Sequence, residues 1–432
     1  MNGPSTVQSR FYRNLVLAGI VTGGNVAPKD QKNKRWGRFL DSLCWLCDHR
    51  TGGVTVTSIC AEAADDSLIL WVAVNGGAKD QYVDRIMDQL EKVKKDLQLV
   101  AVSNTTMHDP VELISTNAIK FSRDKVKNYI KNLLASLKSA IKDEEELENR
   151  TLASNLQDIV EDNTSDYPRL CRKVVDFWRQ PMSLRLEELA EDSSKRAWKT
   201  IRHNVGRLDS WFRAASHLIS IVKERPSIMA NLSIRRVPSL CTAAMPQEWS
   251  REGMHDLLQQ ILPNYNQEIL REYVEPAADL QTNSFNKLLN GNPKPVAFDT
   301  IVHAEVLMIE HCYINDISPV NDYIGCSKPS CYCCSLYMQC HPMKSEPRPC
   351  HGKIWAKWGV PLQHSPHSVD ILKKMTRQIQ EEIKDCVFRG PASNLRIADS
   401  TTGLSRSTLT EDDSGLFDLA TPNTRKGRFR SI

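Results

Sequence analysis

His303, Glu305, Cys331 and Cys334 are the residues of this chain whose types and spacing can do chemistry, in His303-Ala304-Glu305 and Cys331-Tyr332-Cys333-Cys334. One imidazole and two thiolates supply three of the four ligands of a tetrahedral zinc, and a catalytic site keeps the fourth position for water. Zinc lowers the pKa of that water toward about 7, so hydroxide is available at neutral pH. Glu305 is a carboxylate the metal does not need. It can take the water proton, pass it to a ring nitrogen and then to a departing amine, because the two transfers are sequential. The chemistry these residues support is hydrolysis at an amidine-like carbon, such as C4 of cytosine or C6 of adenine, with loss of ammonia.

Apolar runs and breakers define the elements that must position these groups. Pro295-Val296-Ala297-Phe298 is a short, turn-flanked apolar segment, and His303 to Tyr313 reads as a buried helix with His303 and Glu305 in its first turn. Asp322 to Cys326 reads as a short buried strand, Ser327 to Ser330 as a turn, and Cys331 to Cys340 as a second helix. At i and i+3, Cys331 and Cys334 share one face of that helix. The positive end of a helix dipole disfavours imidazolium and favours thiolate, so two facing helix starts suit this ligand set. A C-x-x-C pair alone carries little weight, since Cys44 and Cys47 form another among 13 cysteines. The order of elements around Cys331 raises the signal.

The H-A-E helix, the strand ending in Ile324-Gly325-Cys326-Ser327-Lys328, the Cys331/Cys334 helix and a strand over His351-Gly352-Lys353-Ile354-Trp355 together resemble the cytidine deaminase-like superfamily. Within it they are most similar to the OTT-type deaminase-like proteins, a branch with many fungal members. The resemblance implies a three-layer α/β/α sheet domain, zinc as cofactor, His303, Cys331 and Cys334 as its ligands, and Glu305 as the proton shuttle. It also implies a nucleobase-containing substrate, whether free base, nucleoside, nucleotide or exposed base in nucleic acid. The superfamily usually has proline directly before the first cysteine, whereas here Ser330 separates Pro329 from Cys331. Ser330 is therefore expected to cap the helix through its hydroxyl, and Cys326 and Cys333 stand as rival ligands.

The resemblance asks for a helix and a β-hairpin ahead of the H-A-E helix. Trp36 to Cys47 repeats apolar residues at Phe39, Leu43 and Leu46, as a packing helix does. Val54 to Ala61 and Leu68 to Val74 read as strands around an Asp65-Asp66-Ser67 turn. In relatives an asparagine near the end of the second strand helps hold the substrate's sugar, which makes Asn75 a candidate substrate contact. Asn75-Gly76-Gly77 is equally what a plain strand exit looks like.

The α/β domain is thus expected to be discontinuous, residues 34–78 plus 295–390, closed by a helix from Ser368 to Val387. Residues 79–294 read as an all-α insertion. Tyr82-Ile86-Leu90-Val93 and Val126-Ile130-Leu133-Leu134-Leu137-Ile141 follow helical spacing. Further helices are expected at 168–180, 183–224 and 252–274, with breaks at Pro181, Pro226, Pro238 and Pro263 and enough material for a core of its own. The mixed charge of this region suits a solvated helical surface. Its functional readings are a substrate-gating cap or a surface for a protein partner.

Whole-chain properties bound the rest. A length of 432 residues suggests two or three domains. A net charge of +4 compels no nucleic-acid partner and excludes none. Thirteen cysteines without a secretory signal point to a reducing intracellular compartment, cytoplasmic or nuclear. No membrane partner is expected, since Leu15 to Val21 is too short to span a bilayer. Residues 1–33 read as a flexible extension; Arg10, Arg13 and the lack of acids before Asp30 give it a faint mitochondrial-presequence character. Residues 391–432, ending in a basic cluster, read as disordered.

Cys44 and Cys47 with His49 could form a second metal site, though cysteines on an apolar helix face are more often buried thiols. Cys340-His341 and Cys350-His351 could clamp a structural zinc, though adjacent pairs fit one tetrahedron poorly. Trp355 and Trp358 divide between base stacking and core packing. Two classes of function follow: a zinc-dependent deaminase, or a non-enzymatic zinc-binding scaffold or inactive deaminase-like interaction protein. In the second, Cys326 or Cys333 would close the fourth position and Glu305 would have no use. Assembly into an oligomer through the sheet-and-helix domain is compatible with either.

Overall fold

Alternation along a strand sends successive side chains to opposite faces, and in two strands of this chain both sets are apolar. In β1 (Thr57–Ala64) and β2 (Ser67–Val74), paired antiparallel from Thr57↔Val74 to Ala64↔Ser67, Ile59 and Ala61 share one face with Leu70 and Val72, and Cys60 shares the other with Trp71. A sheet of this kind has to be covered on both sides. The computed structural model describes residues 4–26, 34–64, 67–76, 78–102, 109–238 apart from 164, 179, 181 and 193, 244–245, 251–263, 298–361 apart from 356, and 367–389.

The helices in chain order are α1 (Pro4–Val21), α2 (Arg35–Cys47), α3 (Asp80–Val102), α4 (Pro110–Phe121), α5 (Arg123–Asp143), α6 (Leu147–Glu161), α7 (Tyr167–Trp178), α8 (Met182–Glu191), α9 (Arg196–Glu224), α10 (Arg251–Ile261), α11 (Ala304–Ile314), α12 (Tyr332–Cys340) and α13 (Ser368–Arg389). The remaining strands are β3 (Leu232–Arg236), β4 (Ala244–Met245), β5 (Phe298–Asp299), β6 (Ile301–Val302), β7 (Pro319–Cys326) and β8 (Trp358–Gly359). The main sheet has the order β3-β2-β1-β7. Its central contact joins distant parts of the chain: β7 runs antiparallel to β1, with Ser58 opposite Cys326 and Cys60 opposite Ile324, and the register shifts before Glu62 meets Pro319.

One face of the sheet packs on α2, with α3 beside β3 and α9 behind α2 and α3, and the other packs on α11, with α12, α13 and α1 in turn behind it. The α2 contact is close: a Cβ on Gly325 would stand 2.7 Å from Leu40 Cβ. The chain is mixed α/β and predominantly helical.

Several expectations change. Residues 79–294 are not all-α, because β3 joins the sheet parallel to β2, Leu68↔Leu232 to Val72↔Arg236. Nor do their helices close a separate core: α3 to α9 share one continuous apolar cluster with α2 and the sheet. The 183–224 stretch breaks into α8 and α9, where Asp192 Oδ1 accepts from Ser194 N at 2.9 Å and turns the chain locally. The N-terminal segment is a packed helix from Pro4. Phe11, Tyr12, Leu15 and Leu17 of α1 are fully buried, and Tyr12 OH donates to Trp358 O at 2.9 Å.

His351 to Trp355 forms no strand. Its backbone bonds go to separate loops, His351 N to Ser330 O and Ile354 N to Gly24 O, around Gly352 at φ 71°. The parallel pairing falls later, between β6 and β8. Residues 65–66, 264–274, 295–297 and 391–432 lie outside the described residues. Among the described residues no helix is long and apolar enough to cross a membrane.

Candidate metal centre

The leading N–H groups of a helix have no partner within it, and at α11 the hairpin supplies one. Ala304 N donates to Asn75 Oδ1 at 2.8 Å, Asn75 Nδ2 donates to Gly53 O at 2.8 Å, and Gly76 N donates to Val302 O at 2.8 Å. The strand exit Asn75-Gly76 thereby fixes where α11 starts. His303 occupies the cap position, one residue before the helix, with extended backbone at φ −75° and ψ 153°.

Helix α12 starts on its own ligand. Cys331 is the N-cap, and its Sγ accepts from Cys334 N at 3.4 Å. Ser330 does not cap. Its N–H donates to Pro349 O at 2.9 Å and its carbonyl accepts from His351 N at 3.0 Å, while its hydroxyl is buried without a hydrogen-bond partner among the described residues. The serine stands one residue too early to reach the free N–H groups of the first turn.

Where the two helix starts meet, His303 Nδ1 lies 3.3 Å from Cys334 Sγ and 3.6 Å from Cys331 Sγ, and the three ligand atoms lie within 4.8 Å of one another. With Zn–S about 2.3 Å and Zn–N about 2.0 Å, a tetrahedron places nitrogen and sulfur about 3.5 Å apart. Donor types and spacing therefore fit zinc. Among the described residues this is the one group of His, Cys, Asp and Glu that converges so. Cys326 and Cys333 remain outside it. So do Cys44, Cys47 and His49, whose imidazole packs on Phe121 at 4.7 Å, and the Cys340-His341 and Cys350-His351 pairs.

Electrostatics at the centre favour a cation. Burial pushes the thiols up, yet the hydrogen bond with Cys334 and the charge of His303 hold Cys331 down to about 6. Burial first, then the hydrogen bond with Cys331 and its charge, keep Cys334 high. His303 is raised against its own burial by the Cys331 thiolate. Trp358, fully buried, donates its indole N–H to Cys334 Sγ at 3.4 Å. It belongs to the core and touches a ligand, whereas Trp355 is half-exposed.

Glu305 is buried in the first turn of α11, with Oε1 3.9 Å from Arg348 Nη1. Arg348 is buried too, and its Nη2 donates to Asp41 Oδ1 at 3.0 Å, Lys328 O at 3.2 Å and Cys326 O at 3.3 Å. Asp41 also accepts from Tyr323 OH at 2.9 Å and Cys326 N at 2.8 Å. Nη1 makes no hydrogen bond among the described residues. A guanidinium anchored to α2 and β7 thus presents positive charge to Glu305. Sequence reasoning missed both residues. The available signal was Asp41 itself, a lone acid inside Phe39-Leu40-Asp41-Ser42-Leu43, where a buried carboxylate requires a partner.

Two turns along the ligand helices a second polar contact ties them together. Glu310 Oε1 accepts from Tyr337 OH and lies 3.0 Å from His341 Nε2. His341 Nδ1 accepts from Met343 N at 3.1 Å, so Nε2 carries the proton and donates to Glu310.

Residues 302–362, which carry the three candidate ligands, are similar to a cytidine deaminase-like family. This segment matches the model of the family described as OTT_1508-like deaminase; His303, Glu305, Cys331, Cys334, Arg348 and Trp358 lie within it, and Asp41 and Asn75 lie outside it. No curated protein and no solved structure matches the chain.

Proposed function

We propose that the chain is a zinc-dependent hydrolytic deaminase of a nucleobase-containing substrate, with His303, Cys331 and Cys334 as metal ligands and Glu305 as proton carrier. The observation that carries this reading is the convergence of one Nδ1 and two Sγ atoms at two helix N-termini, with an acid in the first turn of one of them. Zinc held there supplies a Lewis acid that makes water nucleophilic at neutral pH. Glu305 takes a proton from the attacking water and gives it to the ring nitrogen, then takes the second proton from the hydroxyl now on the amidine carbon and delivers it to the departing amine. Water oxygen joins the amidine carbon, the C–N bond breaks, and ammonia leaves. Arg348, with Nη1 3.9 Å from Glu305 Oε1, holds the carboxylate in place between transfers. Asn75, which caps α11, is proposed to stand at the substrate edge of the same helix start.

We read the sheet with its helix layers as a three-layer α/β/α deaminase-like domain, assembled from 34–78 and 295–390 around the β1–β7 pairing. A scaffold with structural zinc needs a fourth protein ligand, and among the described residues none joins the three. Glu305→Gln separates the readings. Full zinc content with ammonia release reduced at least a hundredfold, across a panel of bases, nucleosides, nucleotides and single-stranded nucleic acids, is the expected result. Loss of zinc or unchanged turnover would remove Glu305 from the mechanism.

A further inference from the structure

We propose that Lys125, on α5, is a positioning residue of the metal centre: through its buried ion pair with Asp48 it sets where both ligand-bearing helices begin. This deepens the deaminase reading and rests on its assignment of the metal ligands. Asp48 is the C-cap of α2, with its N–H donating to Cys44 O at 3.1 Å. A carboxylate at the negative end of a helix is unfavourable without a cation, and Lys125 supplies one. Its Nζ donates to Asp48 O at 2.8 Å and to Asp48 Oδ2 at 3.0 Å, and lies 4.1 Å from the centre of the Trp45 ring. Both side chains are closed to solvent.

Two chains of hydrogen bonds leave the Asp48 carboxylate. On one side Oδ1 accepts from Thr55 Oγ1 at 2.7 Å, and Thr55 Oγ1 accepts from Arg50 N at 3.0 Å. The loop so folded presents Gly53 O to Asn75 Nδ2 at 2.8 Å, and Asn75 Oδ1 takes Ala304 N, beside the ligand His303, at 2.8 Å. On the other side Oδ2 accepts from Ser327 Oγ at 3.4 Å. Ser327 Oγ accepts from Thr57 N at 3.3 Å, and Ser327 N donates to Thr57 O at 2.9 Å. Ser327 opens the turn that ends at the ligand Cys331. Asp48, Thr55, Thr57 and Ser327 are all buried, so a lost bond leaves an unsatisfied polar group that only a shift of the loop can relieve.

Stability alone does not account for the pair. Replacing a buried ion pair by apolar residues of similar volume is often neutral or stabilising, and Lys125 adjoins the buried apolar positions Val126, Ile130 and Leu133 of α5. An apolar pair has no means of bonding two separate loops at once. The ion pair does this, and it gives the helical region a part in the site although that region supplies none of the three ligands.

Cobalt(II) added to the metal-free full chain tests this, because its absorption reports thiolate ligation and coordination geometry, and chelator competition gives the zinc affinity. Lys125→Met should change the cobalt spectrum and weaken zinc binding about tenfold or more, the usual effect of losing a group that orients a ligand. Lys195→Met is the control: it breaks an ion pair with Glu144 at 3.0 Å elsewhere in the helical region, and should lower Tm with both metal readouts unchanged. Should Lys125→Met fail to fold, Thr55→Val and Ser327→Ala each cut one chain of bonds while keeping the ion pair, and each should show the same change in smaller measure. Native spectrum and affinity in Lys125→Met, or in both single-chain variants, overturn the inference, and so does an equal change in Lys195→Met. The native chain keeps the two readings apart. No thiolate band there removes the ligand assignment and all that rests on it, whereas a native band that Lys125→Met leaves intact removes Lys125 alone.

Discussion

Trp358 is the residue that most changes how the ligand set is understood, because its indole N–H is aimed at a ligand sulfur instead of at water. A donor to a thiolate fixes its orientation and softens its charge, and removing such a partner typically lowers metal affinity ten- to a hundredfold. Trp358→Phe keeps most of the buried volume and deletes the donor. It should weaken zinc binding by about that factor in competition with a chromophoric chelator, and an unchanged affinity would make the contact incidental. Sequence alone divided Trp358 between base stacking and core because an indole's partner depends on the strand pairing β6–β8, which two-residue strands do not announce. The ligands themselves were legible. Their residue types are rare together, and their spacing fits two helix starts.

At the scale of elements, the hairpin and α11 are coupled through Asn75. Asn75→Ala leaves Ala304 N–H without its acceptor and should destabilise the fold by roughly 1 kcal/mol, the usual loss of an N-cap, in urea unfolding. Unchanged stability with a raised KM would make Asn75 a substrate contact in place of a cap. The elements with strong periodicity were readable: α2, β2, α3, α5, α11 and α13 lie close to where apolar spacing puts them. Those set by tertiary partners were not. β3 is a five-residue strand in a helical neighbourhood and is completed only by β2, and α1 is held by α13 and Trp358, contacts with residues more than three hundred positions away that no local window contains.

At the scale of the whole molecule, α9 sits at the centre of the helical layer and carries two histidines that burial keeps neutral. Burial first, then nearby arginines, lowers His203 to about 3 and His217 to about 4 from an ordinary 6.5. The unfolded chain takes up these protons as pH falls below 6.5, while the native protein cannot do so until near pH 4 or 3. Stability is therefore full above pH 6.5 and lost as pH falls through that window. With partial exposure discounted, each histidine accounts for roughly 1–2 kcal/mol. His217→Gln, remote from the metal ligands in sequence, should flatten the decline of Tm between pH 6.5 and 4. An identical slope would mean that other groups govern acid unfolding. Because the strands β1, β2 and β7 contribute one face to the apolar cluster of α2 to α9 and the other to the cluster of α11 and α12, the helical region and the metal-bearing layer should unfold in a single transition.

The central claim is that His303, Cys331 and Cys334 hold one zinc. Elemental mass spectrometry on the purified full chain, beside His303→Ala and Cys334→Ala variants checked for folding by circular dichroism, tests it most directly. Near one zinc per native chain, lost in both folded variants, is the predicted result. Native protein that takes up no zinc on reconstitution, or folded variants that retain it, would contradict the assignment.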